Sequence, residues 1–248
     1  MTRLPWTLPP RRRVLLAALA LLPAIAQAQA PPAPPTARIV VIGDSQAEGI
    51  AGALVRRLQG NRQYRVIDKT KISTGLAYLN TYNWPQVAQT IATAEHADIA
   101  VVMFGANDRP PLRVGNPADA ARTITFSDTY GRRIRDVIHA FRAANARVFW
   151  LGHPIVRDQQ FSTELEFLNR LYEENASQEG AAFVPLWDLL AENGAYAAFG
   201  KGADGQTKRL RADDGVHMTN AGYDLAVSRL LPLIVASRQP GQPSVPSP

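Results

Sequence analysis

The sequence predicts an α/β fold, a parallel sheet with helices on both faces. Three observations lead there. Short apolar runs alternate with amphipathic stretches along the chain. The apolar runs are mostly continuous rather than alternating, as strands covered on both faces are. No internal repeat and no mid-chain linker interrupts the pattern, so residues 37–238 read as one domain.

The elements follow in order. Arg38 to Ile42 is a buried strand, and Gln46 to Leu58 a helix with Ile50, Leu54 and Leu58 on one face. Tyr64 to Asp68 is a second strand, Trp84 to Glu95 a helix, and Asp98 to Phe104 a third strand. Asp128 to Ala144 is helical, with Ile134, Val137, Ile138 and Phe141 spaced three and four apart. Arg147 to Leu151 is a strand, Thr163 to Glu179 a helix, and Ala182 to Val184 a short strand. Asn220 to Val235 is the last helix, with Thr219 or Asn220 as its N-cap. Strands and helices in this alternation build βαβ units with right-handed crossovers. All strand C-termini then lie along one edge, where open sheets of this kind bind ligands.

The ends of the chain read differently. Arg11, Arg12 and Arg13 precede the apolar run Val14 to Ile25, and Ala26 to Ala30 fits small-x-small cleavage sites. Residues 1–30 therefore carry the pattern of a secretory signal peptide, by the general or the twin-arginine route. The run is shorter than a membrane span needs, so no stable span is expected after cleavage. The expected location is periplasmic or secreted. Residues 31–36 are a proline-rich lead-in and 239–248 a proline-rich, disordered tail. The formal charge of +6 includes four arginines within residues 1–30. Without them +2 remains, and no basic stripe points to nucleic acid. Cysteine is absent, so an exported chain must rely on its core alone.

Chemistry-bearing residues collect at the predicted edge. Gly43-Asp44-Ser45 follows the first strand, and the serine falls at a helix N-terminus, whose free N–H groups favour developing negative charge. Ser73-Thr74-Gly75 follows the second strand, and Gly105-Ala106-Asn107-Asp108 the third. Asp214 and His217 stand three apart in the loop before the last helix, a spacing that lets the carboxylate reach imidazole Nδ1. Each has an ordinary alternative alone: an N-cap serine, turn residues, a solvated acidic loop.

Together, in this order, the four blocks resemble the SGNH hydrolase family, also called GDSL-type esterases. The resemblance spans about 37–236. It implies a flavodoxin-like three-layer α/β/α sandwich with a central parallel sheet of about five strands. It also implies Ser45 as nucleophile, His217 as general base and then acid, and Asp214 as the residue orienting His217. Backbone N–H groups of Ser45 and Gly75 and the Asn107 side chain would form the oxyanion hole. Gln46 departs from the leucine many members carry there; its position faces helix or core. Ser73 to Leu76 and Asn83 to Pro85 look like a subgroup of bacterial exported members.

Around this set, Asp44, Asp108, His153, Tyr82 and Trp84 are candidates for substrate contact, the aromatics by stacking on sugar rings or by packing on the core. Arg109 to Thr125 is long enough for a substrate loop, with Arg109, Arg113 and Arg122 facing an anionic polymer or solvent. No His or acidic pair has zinc-ligand spacing, so no metal and no cofactor is expected. The expected partner is an acylated carbohydrate or small ester carrying a small acyl group, acetyl first. The alternatives are an O-acyltransferase using the same triad and a non-catalytic carbohydrate-binding protein. A flavodoxin-like nucleotide binder would need a G-x-G-x-x-G loop, which Gly43-Asp-Ser-Gln does not supply.

Overall fold

The computed structural model describes residues 36–111 and 117–238, with residue 2 standing apart. The signal peptide, most of the lead-in and the tail read from the sequence lie outside the described residues, as does Arg113.

Five parallel strands form the central sheet: β1 (Ala37–Gly43), β2 (Tyr64–Asp68), β3 (Ile99–Met103), β4 (Arg147–Leu151) and β5 (Ala182–Val184). Their order is β2-β1-β3-β4-β5, the flavodoxin-like arrangement. The helices are α1 (Ser45–Arg57), α2 (Trp84–Ala94), α3 (Pro117–Ala143), α4 (Gln159–Gln178) and α5 (Asn220–Ser237). Successive strand residues point to opposite faces, and both faces are dry. Val40, Ile42, Ala100, Val102, Val148 and Trp150 meet side chains of α2, α3 and α4. Ile39, Val41, Ile99, Val101, Met103 and Phe149 meet α1 and α5. That double burial is why the strands read as unbroken apolar runs.

The chain turns outward from β1 to β2, then returns past β1 to β3. The switch point lies between the C-terminal ends of β1 and β3. Gly43 pairs with Met103 there. Its φ is +139°, and a Cβ would fall 1.9 Å from the Met103 carbonyl oxygen, so only glycine fits. Beyond β2, the N–H groups of Lys69 and Lys71 donate to Val41 and Gly43 (both 2.9 Å) and carry the next loop alongside the end of β1.

One expectation is corrected, and one feature had no sequence signal. The loop expected over Arg109 to Thr125 is helical from Pro117 onward, because proline suits a first helical turn and Ala118, Ala120 and Ala121 extend it. Two short hairpins also stand between β5 and α5, pairing Ala191–Glu192 with Ala195–Tyr196 and Phe199–Lys201 with Thr207–Arg209. Strands of two and three residues are too short to show a period. Thr219 is the N-cap of α5.

Leu54 is fully buried beneath α1, while its neighbour Val55 is exposed. Leu54→Ala should lower the unfolding free energy by about 2–5 kcal/mol. Val55→Ala should change it by less than about 0.5 kcal/mol. Urea denaturation of the two variants checks the orientation of α1.

Candidate active site

Ser45 is the first residue of α1, and Asp44 caps the helix, accepting the Gln46 N–H at 2.9 Å. The other Asp44 oxygen accepts the Ala106 N–H at 3.0 Å. One carboxylate therefore ties the serine turn to the asparagine turn across the switch point. Asp44 is fully buried. Burial, with the Asp108 charge adding to it, pushes its carboxyl up to about 7 against the backbone donors that favour the ionised form. It holds the site from beneath and cannot meet a substrate, which corrects the expectation of contact.

Asn107 emerges from the β3 turn, and its Nδ2 donates to the Thr74 carbonyl at 2.9 Å. The sequence places Gly75 next in that loop, and Asp108 shows why it is glycine: a Cβ there would fall 2.2 Å from Asp108 Oδ1. The Asp108 carboxylate accepts the N–H groups of Leu76 (3.1 Å) and Ala77 (2.7 Å) and the Tyr130 hydroxyl (2.6 Å). Arg133 Nη1 donates to the carbonyls of the same two residues at 2.6 and 2.8 Å. Both the donors and the acceptors of residues 76 and 77 are thus held by side chains. Asp108 is fully buried and its carboxyl is raised by that burial. Trp84 is also fully buried, its indole N–H donating to Thr74 Oγ1 at 2.9 Å. Neither reaches solvent, so both leave the substrate-contact set; each supports the Gly75 loop from below. Tyr82 stays half-buried at the surface, edge-on to Trp84 at 4.8 Å, with Lys71 Nζ 5.3 Å from its ring centre.

The third piece is the loop before α5. Ser45 Oγ lies 2.7 Å from His217 Nε2, and His217 Nδ1 lies 2.5 Å from Asp214 Oδ2. A carboxylate only accepts, so Nδ1 carries the hydrogen and Nε2 accepts from the serine hydroxyl. Asp214 Oδ1 accepts the N–H groups of Val216 (2.8 Å) and His217 (2.9 Å). Burial works to raise the Asp214 carboxyl, but the His217 side chain and these backbone donors outweigh it and bring it down to about 2. The structure thus brings Ser45, Asp214 and His217 into one hydrogen-bonded line.

Sequence reasoning missed what holds this loop. Arg211 is fully buried; Nη1 donates to Ile155 O at 2.7 Å and Nη2 to Val216 O at 2.9 Å. Burial lowers its guanidinium to about 10. Gln46 Nε2 donates to the same Val216 carbonyl at 2.8 Å, and Gln46 Oε1 accepts the Tyr223 hydroxyl at 3.0 Å. The residue after the serine therefore fixes the histidine loop, and its departure from leucine was the one signal available.

His153 is the fourth substrate-contact candidate to be corrected. It is fully buried. Nε2 faces the Phe104 carbonyl at 2.8 Å and so donates to it, and the Tyr172 hydroxyl reaches the same oxygen at 2.9 Å. Burial lowers the imidazole to about 4, with Arg211 and His217 acting in the same direction. A neutral, enclosed imidazole orients the β3 turn and does not touch a ligand. Gly105, in that turn, has φ +131°.

Asp44 binds its proton more tightly folded than unfolded, since its carboxyl rises from 3.8 to about 7. Its contribution to stability is therefore greatest in acid and falls as pH rises through that interval. Asp44→Asn should lack this part of the slope. Measured by urea unfolding between pH 4 and 8, wild-type stability relative to the variant should decline with pH.

A family model described as Protein of unknown function (DUF459) matches residues 38–233. No curated protein matches the chain. Among solved structures, that of TesA aligns with a TM-score of 0.54 at 20% identity, covering 79% of this chain and 97% of that one. A catalytic mutant of Axe2, an acetylxylan esterase from Geobacillus stearothermophilus, aligns at 0.55 and 17% identity, covering 86% and 97%. A GDSL-like lipase from Bacteroides thetaiotaomicron aligns at 0.56 and 16% identity, covering 81% and 88%.

Proposed function

Since the chain belongs to the DUF459 family and carries the fold of the SGNH hydrolases, we propose that it is a serine esterase releasing a small acyl group, acetyl first, from a carbohydrate ester. The observation that carries this reading is the line Ser45–His217–Asp214, at 2.7 and 2.5 Å, at the N-terminus of α1. That geometry suits a base taking the serine proton as the serine attacks an ester carbonyl.

In the reaction, His217 Nε2 accepts the Ser45 proton and Asp214 stabilises the imidazolium that forms. The negative oxygen of the tetrahedral intermediate faces the N–H groups of Ser45 and Gly75 and the second amide hydrogen of Asn107. Asn107 is suited to this because its amide is already oriented by Thr74. The alcohol leaves with the proton from His217, and water releases the acyl group by the same steps in reverse roles. Support also comes from Axe2, whose catalytic mutants replace a serine, an aspartate and a histidine. Its aspartate and histidine stand three positions apart, as Asp214 and His217 do. The arginines and apolar run within residues 1–30 support an exported enzyme acting on the cell envelope, and no helix among the described residues is long and apolar enough to cross a membrane.

The test is hydrolysis of p-nitrophenyl acetate by the purified protein with fluorophosphonate labelling of Ser45. Ser45→Ala should abolish labelling and lower kcat by at least about 10³. Asn107→Ala should keep labelling and lower kcat by about 10²–10³. No turnover and no labelling in the wild type would leave a carbohydrate-binding role on a hydrolase scaffold. Turnover accelerated by an added sugar acceptor, with transfer product formed, would identify an acyltransferase.

A further inference from the structure

A cavity of about 490 Å³ opens beside the Gly75 loop, between it and the N-terminal half of α3. Its lining includes Ala77, Pro111, Thr125, Phe126, Thr129 and Arg133. The volume is that of a small-molecule site and far exceeds an acetyl group. Resting on the esterase reading above, we propose that this cavity is the subsite for the sugar ring that carries the ester, with Phe126 as the surface on which the ring stacks.

The cavity shares its wall with the oxyanion side of the site. Ala77 stands two residues beyond Gly75. Arg133, in the cavity wall, is the residue whose guanidinium holds the Leu76 and Ala77 carbonyls. Tyr130, also in the wall, donates to Asp108, the neighbour of Asn107. A group seated here therefore lies against the loop that carries Gly75, two residues from it at Ala77.

The chemistry of the lining fits a pyranose. A sugar ring presents apolar C–H faces and a polar rim. Phe126 is half-buried, and it is stacked on Tyr130 at 5.0 Å and 17° and packed against Phe167 at 6.4 Å. Its ring is thereby fixed before any ligand arrives, so stacking on it costs little ordering. Around it, Thr125 donates its hydroxyl hydrogen to Ala121 O at 3.0 Å, which turns its lone pairs outward as acceptors. Thr129 and Arg133 add further polar groups. The cavity is open rather than enclosed, since Ala121, Arg122 and Thr125 on its rim are exposed, which leaves room for the rest of a sugar beyond the stacked ring. Phe126 thus takes the stacking role for which Trp84 is too deeply buried.

The experiment uses the full chain and three esters: ethyl acetate, ethyl hexanoate and glucose pentaacetate. The double variant Ala121→Leu, Thr125→Leu fills the cavity from its exposed rim and leaves the core intact. It should lower kcat/KM for glucose pentaacetate by about tenfold, ~1.4 kcal/mol of binding, through KM, with ethyl acetate within about twofold. Phe126→Ala should show the same split. Unchanged glucose pentaacetate kinetics, or a loss confined to ethyl hexanoate, would overturn the sugar subsite, the latter in favour of an acyl-chain pocket. If the wild type cleaves none of the three, the esterase reading fails on its own. Binding of glucose pentaacetate to Ser45→Ala, followed by saturation-transfer NMR, then decides the subsite: binding that the rim substitutions remove supports it, and absence of binding refutes it.

Discussion

A buried carboxylate must find donors for its oxygens, and Asp44 finds them on two different turns. One oxygen takes an N–H from the start of α1 and the other an N–H from the turn after β3. Those turns carry Ser45 and Asn107. They meet only because the order β2-β1-β3-β4-β5 places the chain reversal between β1 and β3. The sheet brings the two ends together, and Asp44 holds the distance between them.

The same device recurs at Asp108, which takes two N–H groups of the Gly75 loop and a tyrosine hydroxyl. Both acids are costly to bury, as their raised carboxyl ionisations record. The return is a set of loops whose positions are fixed by side-chain hydrogen bonds. In acyl transfer such preorganisation matters more than contact, because donors that need not reorient stabilise the oxyanion in full. Arg211 and Gln46 serve the histidine loop in the same way, converging on the Val216 carbonyl. Four loops are thereby tied by buried side chains.

This arrangement separates two tasks. Deep polar residues set geometry, and the surface beyond Ala77 is where the proposed sugar subsite lies. The β2-to-α2 loop and the first half of α3 form that surface. Among the described residues, none of the hydrogen bonds that hold the line from Ser45 to Asp214 is made by an α3 residue.

By itself the sequence determined the alternation of strands and helices, because burial on both faces of a sheet demands continuous apolar runs such as Val40–Ile42 and Ala100–Met103. It also determined which residues stand at strand ends, and the Asp-x-x-His spacing, whose partners lie in one local loop. Only the tertiary structure decided which of these residues are buried. Asp44, Asp108, His153 and Trp84 sit in or near the same motifs as Ser45, Gly75 and Asn107, yet all four point inward to donors or acceptors contributed by distant segments. Their orientation depends on contacts 10 to 62 positions away, between Thr74 and Trp84 and between Asp44 and Ala106. The length of α3 was hidden because its first turns lack an apolar period in the sequence.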